Sequence, residues 1–144
     1  MNGYTRVANR MRPTIDKVLA RTRRKLVRLT PQQASTEHLQ GALLIDTRNE
    51  SQRATQGVIP GAIAIDRAVL EWRLDPTSPW RILQASNHQV RIILICAQGY
   101  SSSLAAASLQ QLGLENVTDV IGGFEDWSAA GLPISRGDGI QSGE

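Results

Sequence analysis

Residues 91–107 read Arg91-Ile-Ile-Leu-Ile-Cys-Ala-Gln-Gly-Tyr-Ser-Ser-Ser-Leu-Ala-Ala-Ala107, and the pattern changes twice within them. Four consecutive Ile or Leu residues end at Cys96, which predicts a short strand over Val90–Ile95, apolar on both faces as in a buried parallel sheet. A loop of small and polar residues follows, with Gly99 available for φ > 0. The run from Ser102 to Leu112 is rich in Ala and Leu, and Gly113 stands at its end as a C′ residue, so it predicts a helix. This strand–loop–helix order puts Cys96 at the carboxyl end of a strand, where open parallel sheets bind their ligands.

The same alternation recurs on either side. Thr30-Pro31 is a helix-start signal, Thr as N-cap and Pro at N1, and predicts a short helix to about Leu39 before Gly41. Ala42–Asp46 (ALLID) reads as a strand, residues 49–55 as a short helix, Ile59-Pro60-Gly61 as a turn and Ala62–Ile65 as a second strand. Arg67–Leu74 suggests a helical turn or two, and two prolines make Asp75–Pro79 a loop. Val117–Ile121 is a further strand. Gly122-Gly123 turns the chain into a helix over Phe124–Ala130, closed by Gly131 and Pro133. Strands alternating with helices predict an α/β domain in three layers, a central parallel sheet of about five strands with helices on both faces. The expected organisation is a basic extension over residues 1–28, the α/β domain over 29–134 and a loose Gly/Ser-rich tail over 135–144.

Composition narrows the functional classes. With 144 residues and 41% hydrophobic content the chain can close one core, filled by aliphatic side chains because aromatics are only 4%. One cysteine excludes an internal disulfide and any multi-cysteine metal site, and no metal or cofactor is expected. No apolar run approaches the ~20 residues of a membrane span. A charged N-terminus without an apolar segment gives no signal peptide, so cytoplasm is the expected location. The formal charge of +3 is unevenly spread. Residues 1–28 hold nine basic residues and one acid, Asp16, whereas the remainder holds seven basic and twelve acidic residues. Residues 13–28 read as a basic helix with a thin apolar stripe of Ile15, Val18, Leu19 and Leu26, expected to be solvated. The alternatives are an anionic partner, or packing on the acidic domain or on another copy of the chain. Nucleic acid is not the expected partner.

The chemistry centres on Cys96. A thiol at a strand-to-helix turn faces unpaired N–H groups from Ala97, Gln98, Gly99, Tyr100, Ser101 and Ser102, and a helix N-terminus adds about half a positive charge. Both favour thiolate over thiol, and both would hold a second, anionic sulfur attached to the first. Ser101 and Ser102 can donate hydroxyl hydrogen bonds to the same anion, although Ser102 can instead act as the N-cap. Asp46 and Arg48 at a strand end read as a pair that holds neighbouring loops. Trp127 with Phe124 reads as a core plug, and His38 and His88 have no acid or metal partners that would make them catalytic.

Four segments together resemble a single-domain rhodanese (thiosulfate sulfurtransferase-like) module over about Leu29–Ile134. They are LIDTRNE (Leu44–Glu50), GVIPGAIAI (Gly57–Ile65, with Val58 where His is usual), ILICAQGYSSSLAA (Ile93–Ala106) and VIGGFEDWSAAGLPI (Val120–Ile134). The resemblance implies sulfur transfer through a Cys96 persulfide. The donor would be thiosulfate or another persulfide; the acceptor would be cyanide, a thiol or a sulfur-acceptor protein. A homodimer is compatible with it. Many rhodaneses carry Arg or Lys inside the loop, and this chain has none there. Arg67 and Arg73, or Arg48, are therefore candidates for cations recruited to the pocket from outside.

Two rivals stand beside this reading. A phosphatase or arsenate reductase on the related fold uses Cys-x5-Arg, because a tetrahedral oxyanion needs a bidentate cation; that position is Ser102 here. A non-catalytic binding or regulatory module would need neither Cys96 nor Gly99.

Overall fold

A computed structural model describes residues 12–136. The first eleven residues of the expected basic extension and most of the expected tail lie outside the described residues. In chain order the elements are α1 (Ile15–Arg23), α2 (Pro31–Leu39), β1 (Leu43–Asp46), α3 (Glu50–Gln56), β2 (Ile63–Ala64), a 3-10 turn (Arg67–Val69) running into α4 (Leu70–Leu74), β3 (Ile92–Ile95), α5 (Ser101–Gln111), β4 (Val117–Asp119) and α6 (Gly123–Ala129). The sheet has the order β2-β1-β3-β4, and every pairing is parallel.

Alternation along the strands divides the core in two. Ile45, Ile92 and Leu94 face one side, with Leu70 and Leu74 of α4 and Ala105, Ala106 and Leu109 of α5. Leu44, Ile93 and Ile95 face the other, with Ala34 of α2 and Phe124 and Trp127 of α6. All four residues of β3 are fully buried, so this strand forms the spine of the domain. Each such side chain contributes about 1.5–3 kcal/mol by leaving water. β3 also aims the main chain at residue 96 from the centre of the sheet.

The sheet has four strands among the described residues rather than about five. What stands at the fifth position is a single bridge. Leu29 N–H donates to Asp119 O at 3.1 Å and Ile121 N–H donates to Leu29 O at 2.8 Å. It cannot lengthen because Thr30 caps the next helix and Pro31 begins it. Thr30 and Gln33 close the reciprocal capping arrangement that the sequence announces only by its Thr-Pro pair.

Two boundaries differ from the sequence reading. Ser135 is paired, not loose, exchanging hydrogen bonds with Val58 at 2.8 and 2.7 Å. Residues 13–28 are not wholly solvated, although Ile15 of the expected stripe is exposed. α1 packs on α5, and Leu19 and Leu26 are buried. The thin stripe suffices because arginines complete the contact, as the site shows.

Candidate active site

Cys96 follows β3 directly, and only 5% of its surface meets solvent. Gly99 N–H donates to its Sγ at 3.1 Å. The helix after the loop starts at Ser101, with Tyr100 as an N-cap residue that makes no side-chain capping bond. The first N–H groups of α5 are thus not consumed by a capping side chain. Ser102 is not the N-cap: its side chain is buried and its Oγ donates to Asp119 Oδ2 at 2.7 Å.

The loop keeps its shape because its carbonyls are tied down. Phe124 N–H donates to Cys96 O at 2.7 Å, and Glu125 N–H donates to Ala97 O at 3.0 Å, both from the start of α6. In a trans peptide the N–H points opposite to the C=O of the same plane. Holding these carbonyls therefore sets the directions of the Ala97 and Gln98 N–H groups. Gly99 has φ +84, and a Cβ there would meet Gly122 N at 2.6 Å; at Gly123 a Cβ would meet Cys96 O at 2.5 Å. The Gly122-Gly123 turn must be bare for α6 to approach so closely.

The Cys96 thiol lies below the usual thiol range. Burial pushes it up, and this is outweighed by the Ser102 and Ser101 hydroxyls and the Ser102 and Gly99 N–H groups. A hydroxyl has one proton, and that of Ser102 also serves Asp119. Among the described residues the main-chain donors and Ser101 have no such competing acceptor.

The cations at this loop come from the N-terminal extension. Arg23 Nη2 and Arg28 Nη2 both donate to Gly99 O at 2.8 Å. Arg28 also grips Asp119, Nε to Oδ1 at 2.9 Å and Nη2 to Oδ2 at 3.1 Å. The Asp119 carboxylate is fully buried and takes Ser103 Oγ at 2.8 Å in addition to Ser102. Arg23 Nε donates to Ser103 Oγ at 3.1 Å, and its guanidinium lies 5.7 Å from the centre of the exposed Tyr100 ring.

The three arginines picked from the sequence as pocket cations are occupied elsewhere. Arg67 pairs with Glu71 at 2.9 Å, and Glu71 in turn takes the Ser108 hydroxyl, two turns along α5 from the loop. Arg73 donates to Trp80 O at 2.8 Å. Arg48 is fully buried. It holds Asp46 Oδ2 at 2.7 Å and Gly57 O at 2.8 Å, and stacks 3.7 Å from the Phe124 ring centre. None of them bonds to residues 96–102. Trp127 is buried among the aliphatic residues beneath α6, with Nε1 donating to Pro133 O at 2.9 Å. A hollow of about 360 Å³ lies by β1 and β2, bordered by Asp46, Arg53, Val58–Ala62, Ala64 and Ser135. No residue of the 96–102 loop lines it.

Sequence reasoning missed Arg23, Arg28 and Asp119. The signal was present as the charge imbalance: a basic leader preceding a domain with an excess of acids, one of which ends a strand.

Comparison with known proteins gives consistent matches. Residues 30–130 match the family described as Rhodanese-like domain. Thiosulfate sulfurtransferase GlpE of Haemophilus influenzae (strain PittEE) is 35% identical over 106 residues, 74% of this chain and 91% of the relative. The protein of the same name from Pseudomonas savastanoi is 32% identical over 102 residues, 71% of this chain and 87% of the relative. Among solved structures, a Rhodopseudomonas palustris protein of unknown function, described as a possible tyrosine phosphatase, superposes with TM-score 0.78 at 30% identity. The match covers 87% of this chain and 96% of that one. This is more than residues 29–144 alone supply, so it includes part of the extension. No helix among the described residues is long and apolar enough to cross a membrane.

Proposed function

The chain belongs to the rhodanese-like domain family and is a sulfurtransferase of the rhodanese type; from this premise we propose that it carries the transferred sulfur on Cys96 as a persulfide. The observation that carries the reading is the Gly99 N–H aimed at Sγ within a loop whose carbonyls are held away by α6 and by two arginines. Such a loop stabilises a thiolate before reaction and a terminal anionic sulfur after it.

With thiosulfate as donor, the Cys96 thiolate attacks the outer sulfur. A new S–S bond forms, the bond between the two thiosulfate sulfurs breaks, and sulfite leaves with that electron pair. Cyanide or a thiolate then attacks the outer sulfur of the persulfide. The S–S bond breaks and the Cys96 thiolate is restored. Two half-reactions on one nucleophile give ping-pong kinetics. With no second cysteine in the sequence, the acceptor must come from outside the chain. The small exposure of Cys96 favours a slim, end-on donor over a bulky one. A persulfide carrier of this kind fits a reducing compartment.

The phosphatase description of the Rhodopseudomonas relative does not transfer well. Position 102, where a tetrahedral oxyanion would need its bidentate cation, is a buried serine bonded to Asp119. The direct experiment uses thiosulfate and cyanide. Wild-type protein should form thiocyanate with ping-pong kinetics, and Cys96→Ser should form none. Equal rates in the two proteins would refute the role of Cys96, and phosphatase turnover without thiocyanate would favour the other class.

A further inference from the structure

We propose that Arg23 and Arg28, which precede the family-matched region, are positioning residues for the Cys96 loop and supply the cationic support that its own sequence lacks. The inference takes Cys96 as the sulfur carrier. Both guanidiniums converge on one acceptor, Gly99 O, at 2.8 Å each. This peptide plane also contains the Tyr100 N–H, which is sent in the opposite direction. α6 fixes the planes of Cys96 and Ala97; the two arginines fix the plane after Gly99. The loop is thereby held at two points, by main-chain donors at its start and by the extension at its middle.

Arg28 has a second task. Asp119 is a buried carboxylate directly behind Ser102 and Ser103, and left alone its charge would oppose a thiolate nearby. Arg28 meets that carboxylate in a two-point fork and reaches the loop with the same Nη2. The charged groups facing the loop are Arg23 from α1, Arg28 from the segment after it, Asp119 from the end of β4, and from α6 both Glu125, whose carboxylate takes Gln98 Nε2 at 2.9 Å, and Asp126, whose carboxylate lies against Gly122 next to Gly99. The closed Asp46–Arg48 pair, at and just beyond the end of β1, stands beside the end of β3. Of these, only the two arginines bring positive charge into contact with the loop backbone. The Rhodopseudomonas structure matches part of this extension as well as the domain, in keeping with a built-in role.

The test reads the thiol directly and needs no sulfur donor. Cys96 is the only cysteine, so alkylation by iodoacetamide across pH, followed by mass spectrometry, reports its ionisation. In the full chain, Arg28→Gln is expected to raise the midpoint by about one pH unit and Arg23→Ala by less. Thiosulfate kcat/KM should fall about tenfold for Arg28→Gln. Arg28→Lys should recover only part, because an ammonium cannot reproduce the fork. A merely structural role would lower Tm and leave the alkylation midpoint at its wild-type value, which would overturn the proposal. If Arg28→Gln does not fold, Arg23→Ala decides, since it leaves the Arg28–Asp119 pair intact; an unmoved midpoint there overturns it equally. A shifted midpoint in a chain that transfers no sulfur would keep this inference while removing the persulfide reading.

Discussion

Two arginines in this molecule make nearly the same set of bonds. Arg48 holds the carboxylate at the end of β1 and a glycine carbonyl, Gly57 O, at 2.8 Å. Arg28 holds the carboxylate at the end of β4 and a glycine carbonyl, Gly99 O, at 2.8 Å. The first pair spans two residues of sequence and the second ninety-one. Arg48 is sealed, with the Phe124 ring on its face, and its glycine ends a helix. Arg28 is partly open to solvent, and its glycine belongs to the loop around the thiol. The bonds are alike, so the difference in role comes from what lies beyond the carbonyl: a helix end in one case, a reactive sulfur in the other.

The largest effect should come from the sealed pair. Arg48→Ala leaves Asp46 buried without its partner and should cost about 3–5 kcal/mol in urea denaturation. Its folded fraction should still alkylate Cys96 as wild type does. A changed thiol there would break the contrast. The two glycines sharpen it. Both have positive φ, +99 at Gly57 and +84 at Gly99, so alanine strains each by about 1–3 kcal/mol. At Gly57 the new Cβ meets Ser135 O at 3.1 Å; at Gly99 it meets the Gly122 backbone at 2.6 Å. Gly99→Ala should lose sulfur transfer by more than about tenfold, whereas Gly57→Ala should lose stability with kcat/KM unchanged.

The thiol itself gives a pH signature. The folded Cys96 ionises below its ordinary range, with burial opposing and the serine hydroxyls and N–H groups prevailing. The thiolate therefore adds stability at and above the ordinary thiol range, and that addition fades as pH falls through the folded pKa. The stability of wild type relative to Cys96→Ser should thus increase as pH rises toward about 8.5. A difference that stays flat with pH would contradict the electrostatic account. The smallest effect belongs to the half-buried Arg67–Glu71 pair on the surface: Arg67→Ala should cost less than about 1 kcal/mol and leave sulfur transfer intact.

The readable parts of the fold were those governed by local rules. The Ile92–Ile95 run, the Thr30-Pro31 start and the Gly122-Gly123 turn each sit where their residues predict. Cys96 and its loop were legible for the same reason: strand, glycine and helix are contiguous. The loop's support was not, because Arg23 and Arg28 meet Gly99 across more than seventy residues. A thin apolar stripe on a basic helix suggests solvent exposure, and nothing local reveals that Asp119 is buried and in need of a cation. Arg67 and Arg73 were reasonable candidates only while no nearer acceptor was visible; Glu71 and the Trp80 carbonyl take them.

The most direct measurement is intact-mass and peptide mass spectrometry of the full chain after brief exposure to thiosulfate, with sulfite followed in parallel. The account predicts one added sulfur atom, located on Cys96, removed by cyanide and absent in Cys96→Ser. A folded wild-type chain that releases no sulfite and gains no sulfur from thiosulfate or a persulfide donor would contradict it.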